Sequence, residues 1–232
     1  MGDIITLVSS ADGFAFPAYR AAPTEARRGG LVILHAIWGI TPHIRALCDQ
    51  FAEEGYEVIA PSLLHRWDKG DGPEGFADKD VDPARYPARE AAAIASEWGG
   101  TTWRDVQAAI DQLAPPVFLM GFCFGGTAAW TAACTCEGLS AAACFYGGHI
   151  AQYRQLTPRC PTILHFGRKD ELIPQEEVAA IEAAHPDLPL WRYDAGHGFV
   201  APSGYHADSA ALALLRTRQL FQRAGGSKEG GA

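Results

Sequence analysis

The segment Gly121-Phe122-Cys123-Phe124-Gly125-Gly126 follows a short apolar run, Val117 to Met120, and opens onto a helix-forming stretch, Thr127 to Cys134. Strand, sharp turn and helix, with a cysteine at the turn, is a layout that presents a nucleophile. The turn crowds the backbone, and only residues without Cβ fit on either side of it. A helix N-terminus behind the cysteine favours the thiolate and offers free N–H groups. Two later segments supply partners: Gly167-Arg168-Lys169-Asp170 closes the run Thr162 to Phe166, and Gly196-His197-Gly198-Phe199 follows Leu190 to Tyr193. Asp170 can accept a hydrogen bond from His197 Nδ1 and fix its tautomer. The ring is then a base toward Cys123 and later an acid toward a leaving group, which is the chemistry of acyl transfer. Each residue also has a plainer reading. Cys123 can be a small buried hydrophobe, and Asp170 can cap a helix beginning near Pro174.

Acyl transfer also needs donors for a developing oxyanion. The N–H of Phe124, just after the cysteine, is one, and that of Ile37, in the loop after the run Leu31–Leu34, is the other. Trp38 then forms a wall of the pocket, or packs under the first helix, and Phe199 anchors the histidine loop.

The elements that must hold these groups alternate along the chain. Strands are expected at Ile4–Val8, Ala15–Ala21, Leu31–Leu34, Glu57–Ala60, Val117–Met120, Ala141–Phe145, Thr162–Phe166 and Leu190–Tyr193. Helices are expected at His43–Glu54, Ala88–Trp98, Thr102–Leu113, Gly125–Cys136, Pro174–His185 and Gly204–Arg223. This βαβ rhythm predicts an α/β fold with a mainly parallel central sheet flanked by helices. The chain of 232 residues is short enough for one domain, taken as 1–224, with a polar, glycine-rich tail at 225–232 expected to be disordered. Residues His65 to Tyr86 break the rhythm with a run of acidic residues. They read as a solvated excursion that leaves the carboxyl end of a strand and can overhang the site.

Composition excludes several classes. A formal net charge of −8 with 48% hydrophobic residues is that of an ordinary globular protein without a basic nucleic-acid footprint. No run is long enough to span a membrane, and the opening residues lack the pattern of a signal peptide, so a cytoplasmic location is expected. Six dispersed cysteines are not a disulfide scaffold, and eight scattered histidines give no metal-ligand spacing, so no metal is expected. The expected partner is a small-molecule ester or lactone, with no nucleic acid and no membrane, and the protein a monomer or homodimer.

These segments together resemble the dienelactone hydrolase family of α/β hydrolases, from Thr6 to Phe221. The matching pieces are Leu34-His35-Ala36-Ile37-Trp38-Gly39-Ile40, Glu54-Gly55-Tyr56 through Ala60-Pro61, Gly121 to Gly126, Phe145-Tyr146-Gly147, Gly167 to Asp170, and Ala195-Gly196-His197-Gly198-Phe199. The resemblance implies a Cys123–His197–Asp170 triad, an α/β-hydrolase domain without a separate cap, hydrolysis of an ester or lactone, and no cofactor. It also makes Tyr146 and Phe199 candidates for contact with substrate. Two departures stand out. The family has a glutamate where this chain has Ala36, and that carboxylate bonds the resting thiol and takes part in its activation by substrate. Its dienelactone members carry an arginine four residues after the histidine to grip a substrate carboxylate, where this chain has Ala201. Arg85 and Arg89 are candidates for a second arginine of that clamp, each with a surface charge as its plainer reading. A relative that only binds its ligand, or a redox role for Cys123, are the competing functions.

Overall fold

Each apolar run read as a strand forms one, with ends shifted by a residue or two. The computed structural model describes residues 2–69 and 76–226. The strands are β1 (Asp3–Val8), β2 (Ala15–Ala21), β3 (Gly29–Leu34), β4 (Tyr56–Pro61), β5 (Val117–Phe122), β6 (Leu139–Phe145), β7 (Thr162–Gly167) and β8 (Leu190–Tyr193). The α-helices are α1 (Pro42–Glu53), α2 (Tyr86–Ala95), α3 (Trp103–Ile110), α4 (Phe124–Thr135), α5 (Gln175–Ala184) and α6 (Ala207–Arg223). The expected helix Ala88–Trp98 is broken. Ser96 donates its hydroxyl to the Ala93 carbonyl and accepts from the Gly99 N–H, which turns the chain into a short 3-10 segment, Glu97–Gly99, with Trp98 at φ 52°.

The eight strands form one sheet in the order β1-β2-β4-β3-β5-β6-β7-β8. β1 and β2 pair antiparallel, as do β2 and β4, and every pairing from β4 to β8 is parallel. Helices cover both faces, so all residues of β3, β5 and β7 are buried, as parallel strands require. The fold is a single-domain α/β fold. The chain leaves β3 toward β4 on one side and returns to β5 on the other. A crevice therefore opens at the carboxyl ends of β3 and β5, where sheets of this kind bind ligands.

The turn from β5 into α4 lies at that crevice. A Cβ on Gly121 would run into the Gly125 carbonyl, and one on Gly125 would run into the Leu34 and His35 carbonyls. The helix therefore sits directly on the ends of β3 and β5, and α4 is buried from Phe124 to Cys134.

The excursion is less solvated than expected. Phe76 and Ala77 are buried, the Ala77 N–H donates to the Ile40 carbonyl at 3.1 Å, and Phe76 packs edge-on against Tyr19. Asp71 and Glu74 of the excursion lie outside the described residues. Of the expected tail, Gly225 and Gly226 close α6 through hydrogen bonds to Gln222 and Phe221, and 227–232 lie outside the described residues.

A substitution tests the close approach. Gly125→Ala should lose about 1–3 kcal/mol of unfolding free energy in urea, the cost of overpacking a filled site. Gly148→Ala, whose added methyl meets only Ile173 at 3.8 Å, should stay near wild type.

Candidate active site

Cys123 is the N-cap of α4 and has φ 54°, ψ −114°, a left-handed conformation costly for a residue with a side chain. Three backbone hydrogen bonds hold it there. Its N–H donates to the Phe145 carbonyl at 3.0 Å, and its carbonyl accepts from Gly126 and Thr127 at 2.9 and 3.2 Å. The turn is thus fastened to β6 on one side and to the first turn of α4 on the other. The Sγ side is the only one left open, and it faces a cleft.

His197 and Asp170 arrive from the carboxyl ends of β8 and β7. The His197 Nδ1–H donates to Asp170 Oδ2 at 2.8 Å, since a carboxylate can only accept. Asp170 Oδ1 accepts from the N–H groups of Leu172 and Ile173 at 2.9 and 3.2 Å. Asp170 is therefore not a cap on α5, whose N-cap is Pro174. Its own loop orients it toward the histidine. His197 Nε2 is buried, lies outside hydrogen-bond geometry with any described atom, and interacts electrostatically with Cys123. Burial alone would hold this ring neutral. The bond to Asp170 and the facing cysteine outweigh it, and His197 is pushed up to about 10 from 6.5.

The Ile37 and Phe124 N–H groups have no intramolecular acceptor among the described residues. The loop carrying Ile37 is fixed by a histidine that motif reading did not single out. His35 Nε2 accepts from the Leu63 N–H at 3.0 Å, so Nδ1 carries the proton and donates to the Ala36 carbonyl at 2.6 Å. Burial lowers His35 to about 4, which keeps it in this neutral tautomer. The ring also stacks on Phe124, with centroids 6.2 Å apart. One side chain thus ties together the loops after β3 and β4 and the first residue of α4.

The cleft encloses about 570 Å³, open mouth included, and is lined by Cys123, His197, Trp38 and Tyr146 together with Ala36 and Ala201. Tyr146 lies at φ 37° just past β6, its ring 5.1 Å from that of His197. Burial, then the neighbouring Cys123, raises its hydroxyl well above the ordinary range. Phe199 does not reach the cleft. It is buried behind it, 5.1 Å from both Tyr146 and Tyr193, and so supports the wall.

Neither arginine reaches the cleft. Arg85 donates to both oxygens of Asp68 at 2.7 and 2.8 Å, and Arg89 Nε lies 3.5 Å from the same carboxylate. Both line a separate cavity beyond Trp38. Nor is Arg89 a surface charge. It is 1% exposed, and a Cβ on Gly39 would meet its Nη2 at 3.1 Å, so it lies beneath the Ile37 loop. Sequence reading also passed over His43 and Asp80, which do line the cleft. His43 stands six residues after Ile37, at the start of the helix that this loop enters. That was an available signal. Asp80, among other acidic residues in an irregular segment, gave none. Among the described residues no group of three or more His, Cys, Asp or Glu is placed to hold a metal, and no helix is long and apolar enough to cross a membrane.

The dienelactone hydrolase family matches over residues 16–225. The chain belongs to the dienelactone hydrolase family. It is accordingly a carboxylic ester or lactone hydrolase. The chain is similar to the "Putative carboxymethylenebutenolidase" of Escherichia coli (strain K12), 33% identical over 93% of this chain and 85% of that one. Carboxymethylenebutenolidase 1 of Cupriavidus pinatubonensis is 27% identical over 92% of this chain and 93% of its own. The crystal structure of a "Putative Dienelactone Hydrolase" from Klebsiella pneumoniae superposes with a TM-score of 0.79 at 25% identity, covering 96% of this chain and 99% of the other. Within this family Ala36 and Ala201 leave two methyl groups on the cleft wall.

The raised histidine has a consequence for stability. Between pH 6.5 and about 10 the folded protein holds a proton on His197 that the unfolded chain has lost. Its contribution is full below 6.5 and disappears as pH rises through 10. The stability advantage of wild type over His197→Gln in urea should therefore shrink steadily across that window. Parallel curves would contradict the assignment.

Proposed function

We propose that this family member hydrolyses its ester or lactone through a covalent thioacyl-enzyme on Cys123. The observation that carries the reading is His197, hydrogen-bonded to Asp170 through Nδ1 while its Nε2 faces a cysteine held in a left-handed turn. Cys123 Sγ attacks the carbonyl carbon, and His197 Nε2 holds the proton that the thiol gives up. The tetrahedral oxyanion accepts hydrogen bonds from the Ile37 and Phe124 N–H groups, next to the positive end of α4. Collapse breaks the bond to the leaving oxygen, which takes the proton from His197. Water then attacks the thioester, His197 takes its proton and returns it to sulfur, and the acid product leaves. Lone N–H groups await the oxyanion without a ground-state partner, which favours the transition state over the substrate.

Ala36 alters how the nucleophile is prepared. Where the family places a carboxylate, this chain leaves His197 and the helix N-terminus as the partners of the sulfur. Both present positive charge to the sulfur. The same site in a binding-only relative would have no use for a carboxylate held by two N–H groups to orient a histidine, which favours catalysis over binding alone.

Turnover of p-nitrophenyl acetate tests the roles. Cys123→Ala should abolish it, and Asp170→Asn should lower kcat by up to about four orders of magnitude through the wrong tautomer. Serine replacements of Cys48, Cys134, Cys136, Cys144 and Cys160 should change stability more than rate, since burial pushes these thiols up and keeps them unreactive. Near-wild-type activity in Cys123→Ala would overturn the reading.

Alkylation tests the role of Ala36. Iodoacetamide should modify Cys123 faster at neutral pH in wild type than in Ala36→Glu, because the added carboxylate opposes a second negative charge beside it. Equal rates, or a faster glutamate variant, would show that position 36 does not set the reactivity of the sulfur.

A further inference from the structure

The cleft around Cys123 contains a carboxylate but no lysine or arginine among its described lining residues. Its remaining walls are mostly apolar: Trp38, Ile44, Val81, Phe122 and the two alanines. The carboxylate is Asp80. Its Oδ1 accepts from the His43 backbone N–H at 2.7 Å, which pins it where the returning excursion meets the start of α1. The neighbouring histidine brings no compensating charge. Burial lowers His43 and outweighs the raising influence of Asp80. Arg85 and Arg89 belong to the cavity on the far side of Trp38 and engage Asp68, and Arg45 on α1 donates to the Ile40 and Ala77 carbonyls. His197 is the remaining cation of the cleft, and its charge is paired with Asp170 at 2.8 Å.

A substrate acyl group entering this cleft meets apolar carbon, one fixed negative charge and no free positive one. We propose that the enzyme selects esters or lactones whose acyl portion is uncharged, and that Asp80 excludes those carrying a carboxylate. The inference rests on Cys123 being the nucleophile, which places the acyl group in this cleft. It assigns Asp80 to specificity and not to the chemical steps. The carboxylate of a bound anionic acyl chain would be forced near Asp80 in a partly desolvated cleft. Like charges there interact through less than the dielectric of bulk water, enough for about a tenfold penalty.

The experiment compares two p-nitrophenyl esters of equal length, one of adipic acid and one of its monomethyl ester. Wild type should show a kcat/KM at least about tenfold higher for the methyl ester at low ionic strength, with the gap narrowing as salt screens the repulsion. Asp80→Asn keeps an oxygen for the His43 N–H and drops the charge, so the gap should shrink by about tenfold. Equal kcat/KM for the two esters in wild type would overturn the inference while leaving the cysteine mechanism standing. If neither ester turns over, the mechanism fails instead, and the electrostatic claim is judged by alkylation. The rate ratio of iodoacetamide to iodoacetate at Cys123 should exceed that of glutathione, and Asp80→Asn should bring it down. A ratio equal to that of glutathione and unmoved by Asp80→Asn would overturn the claim.

Discussion

The site depends on the close approach of α4 to the ends of β3, β5 and β6. Gly121 and Gly125 let the first turn of the helix rest against the backbone carbonyls of Leu34 and His35, with no side chain between. That contact leaves Cys123 no room for ordinary strand or helix geometry, and its φ of 54° is the result. The strain persists because the surroundings over-determine it: the Cys123 N–H is held by β6 and its carbonyl by the helix. The same approach stacks the His35 ring, at the root of the Ile37 loop, on Phe124. The proposed nucleophile and the two proposed oxyanion donors thus share one packing constraint, and a methyl group at Gly125 would disturb all three.

Electrostatics build on that geometry. Asp170 is fixed by two N–H groups of its own loop, so its second oxygen is free to hold His197 in a single tautomer. The histidine then carries a positive charge despite its burial, because the bond to Asp170 and the facing cysteine outweigh the desolvation. A second histidine works in the opposite sense. His35 has no carboxylate partner, burial wins, and the neutral ring serves as a strut between the loops after β3 and β4. Two buried histidines about the same cleft are driven to opposite protonation states by what stands next to them.

Much of this was legible in the chain. The eight strands follow from apolar runs bounded by glycine, proline and aspartate, and the three catalytic candidates from short motifs at strand ends. Those signals are local, so sequence carries them well. What sequence carried poorly depends on distant segments. Arg89 reads as a solvated charge because its helix is amphipathic, yet packing draws its guanidinium under the Ile37 loop. Phe199 reads as a pocket residue because it neighbours the histidine, yet its ring packs behind Tyr146. Asp80 looked like one acidic residue among many, because only the fold brings that segment back over α1. The residues proposed to hold reacting atoms were brought together from motifs that sequence carries, while those that shape the surrounding cleft needed the structure.

The covalent intermediate is the most direct test of the central claim. The protein is mixed with p-nitrophenyl acetate, quenched in acid during turnover and digested, and its peptides are mapped by mass. The account predicts an acetyl group on the peptide carrying Cys123, present during turnover and gone once substrate is exhausted. Sustained turnover with Cys123 unmodified at every time point, in a protein whose acetylated peptides are otherwise detectable, would contradict it.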